Sequence, residues 1–291
     1  MVAAPVTVEI VAVGNELLLG DVLDTNSHWL CRRLTGLGAR VRRVTMVGDE
    51  QAAIAEAVRD ALVRGAQLVI TTGGLGPTDD DLTLRAVASA LERPLVENTA
   101  ALEMVAGTYA ALARRGHVAS AELTASRAKM ARLPEGAEPL ANGVGAAPGS
   151  LVRLDDGGRT PSVRAIVSLP GVPDELYDIV QGALRPFLAD LLGQGAYEEW
   201  RARVACGDES VLAPLLSEVA SQHPDVYIKS RAKRFGSDVT FMVSLSARGD
   251  DPAGARSRLE AAWAALRQAL DREGITAHLE EGSGGGDGGA A

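Results

Sequence analysis

A buried apolar run leads directly into a glycine- and aspartate-rich turn, and this junction constrains the fold more than any other stretch. Residues 67–70, Gln-Leu-Val-Ile, are typical of a parallel strand covered on both faces. Residues 71–83 then read Thr-Thr-Gly-Gly-Leu-Gly-Pro-Thr-Asp-Asp-Asp-Leu-Thr, and Leu84 and Val87 follow at helical spacing. The turn therefore joins a strand to a helix, which is where an α/β sheet presents its ligand crevice.

The composition of this turn suits a phosphate. Glycines within 73–76 let the backbone approach a ligand, and their amide groups, with the positive end of the following helix, can hold an anion. The aspartates at 79–81 would repel phosphate unless a divalent cation such as Mg²⁺ lay between them. One interpretation is therefore a metal-assisted phosphate site. The alternative is that the aspartates only cap the helix, because Thr78 and Asp81 have capping-box spacing.

The overall composition excludes several classes of protein. The 291 residues suffice for one large domain and a smaller one. A formal net charge of −9 argues against a general nucleic-acid binder, which needs a basic face. No apolar run approaches the roughly 18 residues of a membrane span, and Cys31 and Cys206, far apart, are consistent with a reducing cytosol. We therefore expect a cytoplasmic protein that does not bind membranes.

Strand and helix patterns alternate ahead of the aspartate-rich turn. Apolar runs at 6–13 and 41–47 predict two further strands with helices between them, and such βαβ units build a mostly parallel sheet flanked by helices. The loops after these strands lie at one edge of the sheet. They carry Gly14 and Glu16 in the first case and Asp49 in the second. We therefore expect several glycine- and acid-containing loops to form one site.

Three later stretches complete the predicted large domain. Residues from Asn98 and residues 121–131 have helical patterns, and 151–154 with 163–169 read as a hairpin around Asp155-Asp156-Gly157-Gly158. The stretch 134–149 is rich in proline, glycine and alanine, and it is either a plain surface loop or a wall of the site. After Leu169-Pro170-Gly171, the pattern predicts one helix from Pro173 to about Leu192.

The pattern changes after Gly193-Gln194-Gly195, which reads as a hinge. The order β-α-β-β-α predicts a small α+β domain, and the glycine-rich residues 282–291 are predicted to be disordered. A basic tip at Lys229, Arg231, Lys233 and Arg234 is typical of a solvated turn, although it could also reach a phosphate ligand or RNA. Residues 193–281 lack the Gly-x-x-Gly loop of a KH-type RNA module, which argues against RNA.

The motifs together resemble the CinA family (competence/damage-inducible protein A). The resemblance rests on stretches in the expected order: Ala12–Gly20, Asn26, Val47-Gly48-Asp49, Gly73–Thr83, Gly145–Gly149 and Leu169-Pro170-Gly171. It implies an α/β domain similar to the molybdopterin-binding domains of MogA and MoeA at residues 5–192. It also implies a small KH-like domain at 196–281, with the tail at 282–291 behind it. Asn15 stands where the family usually has threonine or another small residue.

The resemblance implies an activity, which is divalent-metal-dependent hydrolysis of the pyrophosphate of ADP-ribose or a related dinucleotide to AMP and a sugar phosphate. Glu16, Asp80 and Asp81 would hold the metal, Mg²⁺ first, with Co²⁺ or Mn²⁺ as alternatives and K⁺ as a further ion. Asp49 would orient or deprotonate the attacking water, and with Asp80 and Asp81 it forms the predicted catalytic set. The predicted substrate-binding residues are Gly14, Asn26, Gly73, Gly74, Gly76, Pro77, Thr78, Thr83, Asn142, Ala147, Pro148 and Gly149.

Two other functions remain open on the same loops. One is molybdenum-cofactor chemistry, in which a pterin phosphate is bound or adenylylated, and the other is a non-catalytic nucleotide-binding protein. The appended small domain favours the hydrolase, and the absence of Lys and Arg between Gly65 and Leu84 argues against a pure phosphate sensor. The resemblance further implies a homodimer. No stretch matches the family's amidase module, so we expect no nicotinamide mononucleotide deamidation and leave open a separate amidase partner.

Overall fold

The computed structural model describes residues 5–154, 164–193, 196–232, 240–249 and 251–280. The chain forms two compact units. The large unit comprises Ala4–Thr35 and Ala39–Gly193, and the small unit consists chiefly of residues from Gln194 onward. No helix within the described ranges is long and apolar enough to cross a membrane.

The large unit alternates strands and helices along its first half. Its described strands are β1 (Thr7–Val13), β2 (Arg40–Val47), β3 (Leu68–Thr72), β4 (Leu95–Glu97), β5 (Arg132–Pro134), β6 (Glu138–Leu140), β7 (Gly149–Leu154) and β8 (Arg164–Leu169). Its described helices are α1 (Asn15–Leu19), α2 (Thr25–Gly36), α3 (Gln51–Val63), α4 (Thr83–Ala90), α5 (Thr99–Arg114), α6 (Ala125–Lys129), α7 (Pro173–Gln181) and α8 (Arg185–Leu192).

A six-stranded sheet in the order β2-β1-β3-β8-β7-β6 forms the centre of this unit. The first four strands in that order run parallel, and β7 and β6 pair antiparallel at the other side. This arrangement confirms the predicted α/β fold with a mostly parallel sheet. The carboxyl ends of β2, β1, β3 and β8 consequently lie along one edge of the sheet. The hairpin turn predicted at 155–158 lies outside the described residues.

The two central strands are buried because their sequences are apolar on both faces. Every residue of β3 is buried, as are Val8 to Val13 of β1. Glu9 of β1 is charged and yet buried, with only 2% of its surface exposed. Arg64, at the end of α3, pairs with its carboxylate at 2.7 Å between Nη2 and Oε2. The charge is tolerated inside the sheet because this partner satisfies it.

The single helix predicted from Pro173 to about Leu192 is wrong, because the structure breaks it into α7 and α8. The first helix ends at Gly182, whose φ of −100° and ψ of −98° are not helical. Pro186 lies in the first turn of α8, where its missing N–H group costs nothing. The apolar periodicity continues across the break, so periodicity alone did not indicate it.

The described residues of the small unit form an antiparallel sheet and two helices. Its elements are β9 (Ala196–Ala205), α9 (Glu209–Gln222), β10 (Val226–Ala232), β11 (Phe241–Gly249), α10 (Pro252–Arg272) and β12 (Thr276–Leu279), and the sheet order is β10-β11-β9-β12. The sequence did not predict β12. Lys229 and Arg231 are exposed on β10 rather than in a turn. Four further predictions lie outside the described residues, namely Lys233, Arg234, the last two residues of the predicted hinge (194–195) and the tail at 282–291.

Candidate functional site

A cavity of about 440 Å³ lies at the carboxyl ends of the parallel strands. The loops after β1, β2 and β3 meet there, and the loop after β8 joins them. Ten of the predicted site residues line it, namely Gly14, Glu16, Asp49, Gly73, Gly74, Gly76, Pro77, Asp80, Asp81 and Ala147. The other lining residues are Val13, Leu75, Tyr109, Met130, Ala146, Pro170, Gly171, Val172 and Glu175.

The glycine turn approaches its neighbours more closely than any side chain would allow. Gly73 and Gly74 have φ angles of +96° and +67°. A Cβ at Gly73 would lie 2.2 Å from the carbonyl oxygen of Val13, and one at Gly74 would lie 2.4 Å from Thr83 Oγ1. The buried Thr83 donates its hydroxyl to the Gly73 carbonyl at 2.7 Å. Thr83 therefore supports the turn from behind and does not line the cavity.

The backbone N–H groups of this turn divide into two kinds. The N–H of Gly73 donates to the carbonyl of Leu169 at 3.0 Å, which extends the ladder between β3 and β8. It is therefore not a free donor for a ligand. Within the described residues, no hydrogen bond involves the N–H groups of Gly74, Leu75 or Gly76. These three groups are the donors that the turn leaves for an anion.

The aspartates after this turn shape the loop rather than cap the helix. Thr78 Oγ1 lies 2.5 Å from Asp80 Oδ1 and 2.6 Å from Asp81 Oδ2, and the Thr78 N–H donates to Asp81 Oδ2 at 2.8 Å. α4 begins only at Thr83, with Leu82 as its N-cap and no side chain capping it. Thr78 itself is exposed and does not line the cavity, so its role is to bring two cavity carboxylates together.

A cation from a distant segment contacts the same loop. Lys129, at the end of α6, donates its ammonium to the carbonyl of Thr78. The hydrogen bond from Thr78, a backbone hydrogen bond and the charge of Lys129 hold the pKa of Asp80 below its usual value. The absence of cations from residues 65–84 was therefore a poor guide to the charge around this loop. Lys129 has no local motif that would have indicated its position.

The loop at 142–147 forms a wall of the cavity, to which Ala146 and Ala147 contribute. Asn142 Nδ2 donates to Glu175 Oε2 at 2.6 Å and to the Ala147 carbonyl at 2.8 Å. Asn142 Oδ1 accepts from the N–H of Gly145 at 2.8 Å. Asn142 therefore holds the wall in shape without lining the cavity. Pro148 and Gly149 are buried where the loop enters β7.

Glu175 is a cavity carboxylate that sequence reasoning missed. It lies in the first turn of α7, after the Leu169-Pro170-Gly171 motif, and this placement was the available signal. Burial raises the pKa of Glu175, and the hydrogen bond from Asn142 opposes that shift. Its environment is thus the opposite of that of Asp80, although both line one cavity.

Asn26 supports the site from outside. It is 8% exposed on α2, and its Nδ2 donates to the carbonyl of Gly171 at 2.7 Å. Gly171 lines the cavity, so Asn26 positions the loop after β8. Its contact is with the protein backbone rather than with the cavity.

The predicted metal ligands are not assembled into a closed site. Within the described ranges, no three His, Cys, Asp or Glu side chains approach one another as a metal cage would require. Glu16 therefore does not join Asp80 and Asp81 in a preformed cluster, and its carboxylate lies against Gly14 instead. Asp80 and Asp81 remain a pair linked by Thr78.

Fold and cavity together define an α/β ligand-binding domain whose site lies at the carboxyl ends of a parallel sheet. Residues 9–190 match the family described as probable molybdopterin binding domain. The chain belongs to this family, and its large unit is CinA-like. It is similar to the crystal structure of the protein CinA, of unknown function, from Thermoplasma acidophilum, with 33% identity and a TM-score of 0.54, covering 63% of this chain and 98% of that chain.

Relatives in archaea cover more of the sequence. A protein of Aeropyrum pernix is 47% identical over 230 residues, which is 79% of this chain and 80% of that protein. A protein of Pyrobaculum calidifontis is 40% identical over 257 residues, which is 88% of this chain and 92% of that protein. These matches extend beyond the large unit into the small one.

Proposed function

We propose that the cavity binds a phosphorylated heterocyclic compound of the molybdopterin class, with a phosphate against residues 74–76. The observation that carries the proposal concerns Gly74, Leu75 and Gly76. These three consecutive residues line the cavity, and their backbone N–H groups make no hydrogen bond among the described residues. Backbone N–H groups on a glycine-rich turn bind phosphate well because their dipoles converge on the anion.

The size of the cavity supports a small-molecule ligand. Its volume of about 440 Å³ lies within the usual range for such sites, roughly 300–1,000 Å³. Membership of the molybdopterin-binding family supports a pterin as the heterocycle. The same loops suit any compound that joins a planar ring to a phosphate.

Isothermal titration calorimetry with 6-hydroxymethylpterin pyrophosphate tests this proposal. A Cβ at Gly76 would lie 2.6 Å from Asp81 Oδ2, so Gly76→Ala displaces the Asp81 carboxylate, which is hydrogen-bonded to Thr78 beside the turn. We expect binding to weaken about tenfold or more, since hydrogen bonds to a charged group are strong. Gly107→Ala on α5 is the matched control, because nothing lies within 4 Å of a Cβ there. Unchanged affinity in Gly76→Ala, or no binding by the wild type, contradicts the proposal.

A second function, hydrolysis of the pyrophosphate of ADP-ribose or a related dinucleotide, is favoured by the carboxylates. Glu16, Asp49, Asp80 and Asp81 line the cavity beside the phosphate-binding turn, and an anionic substrate there requires a counter-charge. Asp80 and Asp81 fit Mg²⁺, Co²⁺ or Mn²⁺ as a two-carboxylate site that substrate phosphates complete. The metal supplies charge neutralisation at the phosphates when bound.

Residues of the chain would activate the water, hold the phosphate and position the carboxylates. Asp49, whose Oδ2 accepts from the backbone N–H of Asn15 at 2.8 Å, would orient the attacking water and receive its proton. The N–H groups at 74–76 would hold one phosphate in place. Thr78, within hydrogen-bond distance of both aspartates, would keep their carboxylates together.

AMP release from ADP-ribose, with and without each of the three metals, tests hydrolysis. We expect Asp81→Asn to lower metal-dependent turnover about a hundredfold or more. Asp79→Asn is the matched control, because Asp79 is an exposed neighbour that does not line the cavity. Absence of AMP release from the wild type with every metal rejects this function and leaves pterin binding open. Metal-independent release rejects the metal, and wild-type turnover by a folded Asp81→Asn protein removes Asp81 from the mechanism.

A homodimer is a further proposal, supported only by the resemblance to the CinA family. Light scattering on the full chain at micromolar concentration tests it. A mass twice that of the 30.2 kDa chain is expected, and a monomer mass contradicts it.

A further inference from the structure

One side of the cavity is apolar and continuous with the protein core. Leu75, Tyr109, Met130, Ala146 and Ala147 line it there. All five belong to one hydrophobic cluster of the large unit or pack against it. The glycine turn and the carboxylates supply the polar part of the cavity lining. Because the apolar side is part of the core, it forms a wall of fixed shape rather than a set of loose side chains.

Tyr109 is the aromatic member of this wall, and its ring is held in place. The guanidinium carbon of Arg127 lies 3.8 Å from the ring centroid, which is a cation–π contact. Arg127 is anchored in turn, because its Nη1 donates to the carbonyls of Ser120 at 2.8 Å and Glu122 at 2.7 Å. The guanidinium covers one face of Tyr109, so a ligand can meet only the part of the ring that Arg127 leaves uncovered.

We propose that Tyr109 is the surface against which the planar ring of the ligand lies, and that Arg127 positions it. This inference rests on the proposed phosphate-binding function, whose phosphate end is the turn at 74–76. Aromatic side chains bind flat heterocycles through their π faces and apolar area, without requiring a particular pattern of ring substituents. A free phosphate or a sugar phosphate has no flat aromatic ring to bury against the wall. The site would therefore select compounds that join a heterocycle to a phosphate.

Two ligands that differ in whether they carry an aromatic ring test this inference on the full chain. AMP and ribose 5-phosphate share the phosphorylated ribose, and only AMP carries adenine. We expect Tyr109→Leu to weaken AMP binding about tenfold in calorimetry, the loss typical of one stacking contact. Binding of ribose 5-phosphate should not change. Tyr109→Phe keeps the aromatic face, so it should bind both compounds as the wild type does.

A second ligand pair distinguishes a pterin from a purine. 6-Hydroxymethylpterin pyrophosphate and inorganic pyrophosphate share the diphosphate, and only the former carries a ring. If Tyr109→Leu loses affinity for AMP alone, the wall binds purines. If it loses affinity for the pterin compound alone, the wall binds pterins. Either selective loss supports the inference.

A third variant covers the case in which Tyr109→Leu does not fold. Arg127→Met keeps the Tyr109 ring but removes the cation beside it, and we expect affinity for the ligands with an aromatic ring alone to fall about threefold.

Equal losses of affinity for ligands with and without an aromatic ring, or no loss in either variant, overturn the inference. If the wild type binds ring-free ligands as tightly as their ring-bearing partners, the wall has no role although the phosphate site stands. If the wild type binds none of the four compounds, the proposed function and this inference both fail.

Discussion

Asn15 and Asp49 hydrogen-bond each other in both directions across the ends of β1 and β2. The N–H of Asn15 donates to Asp49 Oδ2 at 2.8 Å, and the N–H of Asp49 donates to Asn15 Oδ1 at 3.2 Å. The pair joins the first two loops of the site. The side chain of Asn15 therefore has a defined partner in the second loop. Asp49 consequently has one carboxylate oxygen held by the backbone.

Gly48→Ala should be coupled to Asn15, because a Cβ at Gly48 would lie 2.6 Å from Asn15 Oδ1. We expect Gly48→Ala to lower the free energy of unfolding in the wild type and to cost about 1 kcal/mol less when combined with Asn15→Ala. Urea denaturation of the two single variants and the double variant measures this coupling. Strictly additive effects would show that Asn15 does not hold the loop at Gly48.

Glu175 should give the protein a specific pH dependence. Burial raises its pKa in the folded state, whereas an unfolded glutamate titrates near about 4.3. The folded state therefore binds the proton more tightly, and the stability associated with this group is present below the unfolded pKa and lost as pH rises through the raised folded pKa. Glu175→Gln removes that loss and retains an oxygen that accepts from Asn142.

Urea denaturation of Glu175→Gln and the wild type between pH 4 and pH 8 provides the measurement. We expect the variant to unfold with a higher free energy than the wild type near pH 7, and the difference to shrink toward pH 4. A difference that is the same at every pH would mean that titration of Glu175 is not its cause. Asp79→Asn, at an exposed carboxylate outside the cavity, serves as the control for replacing an acid by its amide.

The parts of the fold that hydrophobic periodicity determines were predictable from the sequence. Strands β1 and β3 are buried on both faces, and continuous apolar runs indicate this burial whatever surrounds them. The break at Gly182 was missed because apolar spacing continues through it. Strand β12 was missed because four residues at a sheet edge carry too little pattern.

The candidate site also contains residues that the sequence predicted and residues that it did not. Loops after parallel strands share one sheet edge, so the grouping of Glu16, Asp49 and Asp81 follows from local patterns and topology. Lys129 and Tyr109 reach the site from segments outside those loops, and Lys129 is 51 residues from its partner Thr78. Only tertiary packing brings them there. No period or short motif in the chain encodes such a contact.

The ion pair between Glu9 and Arg64 should stabilise the large unit measurably. Arg64 Nε lies 3.2 Å and 3.1 Å from the two carboxylate oxygens of Glu9 and Nη2 lies 2.7 Å from one of them. Arg64→Met leaves the carboxylate of Glu9 inside the sheet without its partner. We expect a loss of about 2 kcal/mol in the free energy of unfolding, less than for a fully buried pair because the Arg64 side chain is 28% exposed.

Chemical denaturation of Arg64→Met and of the double variant Glu9→Leu with Arg64→Met tests this expectation. The double variant should recover most of the loss, because an apolar pair removes the buried charge. Arg153→Met is a suitable control, since Arg153 pairs with Glu138 on the surface with 51% and 55% of the two side chains exposed. A loss as small as that of the control would show that Glu9 does not depend on Arg64.

Gly73 should be far less tolerant of alanine than another glycine with a similar backbone. Gly73 and Gly65 have φ angles of +96° and +81°, so alanine at either position costs about 1 kcal/mol of backbone strain. A Cβ at Gly65 meets nothing within 4 Å, whereas one at Gly73 would lie 2.2 Å from the backbone oxygen of Val13. That oxygen cannot rotate away, because Val13 ends the central strand β1.

We therefore expect Gly65→Ala to lower the free energy of unfolding by about 1 kcal/mol and Gly73→Ala by about 3 kcal/mol or more. The difference between the two variants isolates the steric contact from the strain that they share. Thermal and urea unfolding of both proteins measures it, and pterin pyrophosphate binding reports whether the turn has moved. Equal losses would mean that the turn at 73–76 has room to shift away from β1, and the close approach would then not determine the shape of the proposed phosphate site.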